Sequence, residues 1–124
     1  MQYRTETKRV KGLGTAKHGF GHWWMQRLSA VLMIPLGIWF VVSLMTMESL
    51  SPDALMQWLH NPIPALLMAL WTVTVVYHAS LGLQVIIEDY VRCKAMALTL
   101  LILVKFAMFV MIVATFFSLF KLVS

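Results

Sequence analysis

A chain of 124 residues that is 60% hydrophobic and only 12% charged lacks the polar surface that a water-soluble domain of this size needs. Its net charge is +5, and six of its ten lysines and arginines fall in the first 27 residues. Beside an apolar span, such a tail sets topology and touches anionic lipid, so a nucleic-acid partner is not expected.

The composition therefore predicts an all-α membrane protein with three transmembrane helices and a short N-terminal cytoplasmic segment, arranged as one membrane-anchor domain over 1–124. Residues 1–27 read as the tail on the cytoplasmic or matrix side; their basic stretch is too long for a cleaved signal peptide. The first span covers 28–47, which contains no charge; Pro35 and Gly37 inside it suggest a bend. An outer loop follows over 48–64, with no lysine or arginine before Pro62. The second span covers 65–87, and an inner loop over 88–94 carries Arg92 and Lys94. The third span covers 95–120 and is interrupted only by Lys105, which is expected against protein or a cavity rather than lipid. Charge asymmetry puts the tail and the inner loop on the cytoplasmic side, or on the matrix side in a mitochondrion. Trp23, Trp24 and Trp58 fall at the two interfaces as ordinary anchors. Cys93 is the only cysteine, which excludes an internal disulfide and any CxxC site.

His78 is the most informative residue. It lies roughly 15 Å from the cytoplasmic end of the second span by helical rise, and a histidine at that depth is costly unless it is paired, buried against protein or bound to a metal. Trp71, Thr74, His78, Gly82, Val85 and Asp89 share its helical face. Gly82, one turn away, removes bulk beside the imidazole, as a flat macrocycle ligated by the histidine requires and as a packed neighbouring helix equally requires. Both readings stand on the residues alone. His18, His22 and His60 lie outside the membrane depth of His78, so a bis-histidine iron site would take its second ligand from another chain; the ten methionines offer thioethers as an alternative. Arg27 at the start of the first span and Asp89 and Tyr90 at the end of the second are expected at one depth. There a cation, a carboxylate and a phenol can polarise a carbonyl and deliver protons, as quinone reduction demands. The same three residues also read as a helix anchor, a countercharge for Arg92 and a member of an aromatic belt.

The run His78-Ala79-Ser80-Leu81-Gly82, continuing to Glu88-Asp89-Tyr90, resembles the H-x3-G-x6-D-Y signature of the small hydrophobic anchor subunit of succinate dehydrogenase. Gly12-Leu13-Gly14-Thr15-Ala16, His22-Trp23-Trp24 and Gln26-Arg27-Leu28-Ser29-Ala30 resemble its N-terminus in alphaproteobacteria. The resemblance covers the length, span count and span order of the whole chain. It implies a non-catalytic anchor in a four-subunit enzyme of the bacterial inner membrane, or of the mitochondrial inner membrane in a eukaryote, linking the tricarboxylic acid cycle to electron transport. The implied partners are a larger cytochrome b anchor subunit, an iron–sulfur subunit and a flavoprotein subunit, within the lipid bilayer. FAD and the iron–sulfur clusters would belong to those other subunits. His78 matches the axial ligand that this subunit gives to the iron of heme b, shared with the larger anchor. Tyr90 matches the tyrosine that hydrogen-bonds the ubiquinone carbonyl, Asp89 its acidic neighbour, and Arg27 the arginine near the quinone and the heme propionates.

Three other readings compete. An anchor of a fumarate reductase would run the same chemistry in reverse. A small proton or ion transporter component would use His78, Asp89 and Lys105 as a path, although paired broken helices near the midplane are missing from the sequence. A purely structural scaffold would use His78 only for packing.

Overall fold

The computed structural model describes residues 16–124, with side chains from Phe20 onward. The N-terminal glycine motif and most of the basic tail, together with the side chain of His18, lie outside the described residues. Within them the chain forms four helices, α1 Ala16–Thr46, α2 Pro52–His60, α3 Pro62–Tyr90 and α4 Lys94–Val123, and no strand. Helices α1, α3 and α4 are each long and apolar enough to cross a membrane, α1 from Phe20 onward, which makes the chain a three-span all-α protein. In hydrocarbon a backbone has no water to bond, so long helices that satisfy their own amides are the available solution.

The helix boundaries extend beyond the apolar stretches. Helix α1 begins at Ala16, eleven residues before Arg27, and continues past Pro35. Helix α3 starts at the Pro62-Ile63-Pro64 segment, where proline costs no helical bond, and ends at Tyr90, so that only Val91, Arg92 and Cys93 separate it from α4. Hydroxyl side chains on the spanning helices turn back to their own helix: Thr72 donates to Met68 O, Thr74 to Leu70 O, Thr99 to Ala95 O and Thr115 to Met111 O, all at 2.8–2.9 Å. This satisfies polar groups where water is scarce.

Helix α3 packs against both α1 and α4, and among the described residues the backbones of α1 and α4 make no close approach to one another. The three spans therefore form an open row with α3 in the middle. Six of the nine buried side chains belong to α3, namely Ala65, Ala69, Thr74, Ser80, Leu81 and Ile87, and most of them are small. Small residues let helix backbones approach closely, and in a membrane close van der Waals contact replaces the hydrophobic drive that water provides. At the α1–α3 seam, a Cβ added to Gly37 would sit 3.1 Å from Cη2 of Trp71, so the glycine is what admits the indole. Phe40 stacks on the same indole, with ring centroids 6.0 Å apart. Most of the outward faces of α1 and α4 are exposed and apolar.

The outer loop contains a helix that its polar composition did not announce. Ser51 caps α2 by accepting from Ala54 N, and Pro52 occupies its first turn. Trp58 on α2 stacks on Trp39 of α1, with centroids 5.7 Å apart. His60 Nδ1 donates to Leu122 O at 2.6 Å, which satisfies one of the terminal carbonyls of α4. Helix α2 thus lies across the end of the row opposite the Val91–Cys93 connection.

Candidate functional site

The face of α3 that carries Trp71, His78 and Gly82 is turned to α1. His78 is half-buried there and bonds to two α1 residues. Its Nδ1 lies 2.9 Å from Ser29 Oγ, and its Nε2 lies 3.5 Å from the amide nitrogen of Gln26. Ser29 Oγ also donates to Gln26 O at 3.0 Å. Ser29 is only 5% exposed, so these bonds are sheltered.

Helical periodicity places His22 on the same face of α1 as Gln26 and Ser29, one turn nearer the N-terminus. His22 Nε2 and Gln26 Oε1 are both buried with no hydrogen-bond partner. Buried polar atoms left unpaired cost roughly 1–3 kcal/mol each, so this strip has hydrogen-bonding capacity to spare for a further polar partner. Sequence reasoning missed Ser29 and Gln26. Polar residues at 22, 26 and 29 repeat at helical spacing, and that pattern was the available signal.

Gly82 behaves unlike Gly37. A Cβ at position 82 would meet only Gln26 Nε2, at 3.9 Å, which is ordinary contact. Packing of α1 on α3 therefore does not require a glycine there. The slack lies one helical turn from His78, beside the side-chain amide of Gln26. A planar group bonded to the imidazole fits these observations.

Arg27, Asp89 and Tyr90 are not brought together. The bond between Ser29 and His78 sets the antiparallel register and puts Arg27 level with the helical turn from His78 to Ser80. Asp89 is nine residues farther along α3, roughly 14 Å toward the helix end by the usual rise. The expectation of a common depth is thus corrected. It took Arg27 as the start of the helix, whereas α1 begins at Ala16 and carries Arg27 inward to the level of His78. The Arg27 guanidinium lies over the Trp23 ring, 5.3 Å from its centroid, on an exposed face of α1. Asp89 and Tyr90 stay together at the end of α3, both exposed, with the Tyr90 side chain 80% accessible. Among the described residues no ion pair joins Asp89 to Arg92; the neighbouring Glu88 instead accepts from Gln84 Nε2 at 2.9 Å. Lys105, expected against protein or a cavity, is exposed on this chain. An apolar groove of about 290 Å³ between α3 and α4 is lined by its neighbours Val104, Ala107 and Met108 together with Val76, Ala79 and Leu83.

Three helices apolar enough to span a membrane, with a sheltered histidine at the seam of the first two, define a multi-pass membrane protein. Residues 1–118 match the family model described as succinate dehydrogenase/fumarate reductase transmembrane subunit. The chain is 33% identical over 112 residues to the succinate dehydrogenase hydrophobic membrane anchor subunit of Rickettsia bellii, covering 90% of each chain. It is 33% identical over 90 residues to the protein of the same name from Paracoccus denitrificans, covering 73% of this chain and 70% of that one. It is also 30% identical over 95 residues to the succinate dehydrogenase membrane anchor subunit of Reclinomonas americana, covering 72% and 77%. The chain belongs to the succinate dehydrogenase/fumarate reductase transmembrane subunit family, as its His78-to-Tyr90 signature and N-terminal run had indicated.

Proposed function

We propose that this chain is the hydrophobic membrane anchor of a succinate dehydrogenase, and that it contributes His78 to a heme b and Asp89 and Tyr90 to a ubiquinone site. Similarity over nine-tenths of the Rickettsia bellii anchor supports the subunit assignment. The observation that carries the heme reading is the geometry of His78. One ring nitrogen is held by Ser29, the other meets only a long contact, and an unpaired amide oxygen and an unfilled glycine lie beside it.

The residues would act as follows. His78 would hold the heme iron through Nε2, together with a residue of the larger anchor subunit. Bound there, a b-type heme supplies a one-electron redox centre within the membrane. Gln26 would turn its amide aside, which costs little because its oxygen has no partner where it is. Arg27, level with His78, suits the propionate side of the heme better than the quinone. Tyr90, exposed beside Asp89 at the end of α3, would donate a hydrogen bond to a quinone carbonyl arriving at that edge of the membrane. Asp89 would hold the tyrosine and exchange protons with water. FAD and iron–sulfur clusters would reside in the flavoprotein and iron–sulfur subunits. The tail and the Val91–Cys93 connection would face the cytoplasm across the bacterial inner membrane, or the matrix across the mitochondrial one.

The test is a dithionite-reduced-minus-oxidised spectrum of the gently solubilised complex, with its subunits counted on a gel. A b-type signal with three partner bands is expected, and His78→Ala should abolish or strongly alter that signal while the partner bands remain. An unchanged spectrum in the variant would remove His78 from the iron, and a preparation without partners would overturn the anchor reading.

A further inference from the structure

We infer that Ser29 is a positioning residue for His78: its hydroxyl accepts the Nδ1–H bond, fixes the imidazole tautomer that presents Nε2 to iron, and lowers the potential of the heme bound there. The inference rests on the heme reading above and goes beyond it by naming a residue and a direction of tuning.

The derivation is a proton count. A serine hydroxyl has one hydrogen and can accept further bonds. Ser29 Oγ is 3.0 Å from Gln26 O, and a carbonyl only accepts, so the hydroxyl hydrogen points at that carbonyl. The contact of 2.9 Å between Ser29 Oγ and His78 Nδ1 is then made by a hydrogen on Nδ1. A neutral imidazole with its hydrogen on Nδ1 carries its lone pair on Nε2. That nitrogen faces the amide of Gln26, whose N–H is a donor and fits a lone pair. The four groups form one consistent chain, running from Nδ1–H to the hydroxyl and from the hydroxyl to the α1 backbone.

The same chain constrains the ring mechanically. The Gln26 carbonyl belongs to a continuous helix, so the hydroxyl has a fixed anchor and the imidazole cannot rotate freely about its own bond to the helix. A ligating histidine commonly donates its second ring N–H to an acceptor, which orients the ring and raises its basicity. More electron density at Nε2 favours ferric over ferrous iron, so the bond from Nδ1–H to Ser29 lowers the midpoint potential, and its loss raises it.

The experiment compares the whole complex carrying Ser29→Thr, Ser29→Val and Ser29→Ala with the unmodified complex. Heme per complex is measured by pyridine hemochrome, and the midpoint potential by a spectroelectrochemical titration without turnover. Threonine and valine have the same shape and differ in the hydroxyl, so the pair separates hydrogen bonding from packing even if the alanine variant assembles poorly. The expected result is a potential close to the unmodified value for Ser29→Thr and an upward shift, with weaker heme retention, for Ser29→Val. Equal potentials and heme content in the threonine and valine variants would overturn the inference, whether both match the unmodified complex or both depart from it. Failure of the underlying reading would show separately, as an unmodified complex that contains no b-type heme.

Discussion

At the scale of single residues, the two ends of the His78–Tyr90 segment lie in different surroundings, and the register between helices separates them. His78 sits at the α1 seam with Ser29 and Gln26, while Tyr90 stands exposed at the helix end. Replacing Tyr90 by phenylalanine keeps the ring and removes the only donor. Tyr90→Phe is expected to slow quinone reduction about 10- to 100-fold, the loss of one hydrogen bond of 1.5–3 kcal/mol to a group gaining charge, and to leave succinate oxidation by an artificial soluble acceptor unchanged. Assaying both acceptors on one preparation decides this, because equal losses would mean impaired assembly. His78 could be singled out from sequence because an imidazole among 23 uncharged residues cannot hide. Ser29 by itself could not, since a serine in a membrane helix is commonplace and its partner is 49 positions away; only its helical spacing from His22 and Gln26 marks it. Arg27 was misplaced in depth for a related reason: the first apolar residue marks where hydrocarbon can begin, not where a helix begins.

At the scale of elements, the two glycines at the α1–α3 seam make opposite demands. Gly37→Ala would put a methyl group 3.1 Å from the Trp71 ring, which is also stacked on Phe40 and so is not free to move. Overpacking of this kind costs about 1–3 kcal/mol. The variant should unfold at a lower temperature, or at a lower denaturing-detergent fraction, than the unmodified chain in the same micelles. Gly82→Ala meets nothing closer than 3.9 Å and should match the unmodified chain in that assay. Equal destabilisation by both substitutions would contradict the seam as described. The three spans were legible from hydropathy because apolar length is nearly sufficient to specify a membrane helix. Helix α2 was not, because nine residues are too few to stand out from a polar loop, although Ser51-Pro52-Asp53 is a recognisable helix start.

At the scale of the whole molecule, the chain offers its own topology reporter. Cys93 is the sole cysteine, it is exposed, and it occupies the short connection between α3 and α4 beside Arg92 and Lys94. If the basic end faces the cytoplasm, a membrane-impermeant maleimide should label Cys93 of this chain in inverted vesicles and not in intact spheroplasts. The reverse pattern would invert the proposed orientation. The span count and the family were readable from the chain alone, but the order of packing was not. Nothing in the hydropathy of α1 and α4 tells that they stay apart, because side chains that face lipid and side chains that face another protein are equally apolar.

The open row has a consequence for how the chain can change over generations. Helix α3 has its packed neighbours within the same polypeptide, so an altered side chain among its buried residues is repaired by a second change in α1 or α4, written in the same gene. The outward faces of α1 and α4 meet nothing within this chain, and a bulky replacement there calls for no second change in it. The buried positions of the middle helix therefore change in step with this chain, whereas its exposed positions and the outward faces of its flanking helices are not so tied.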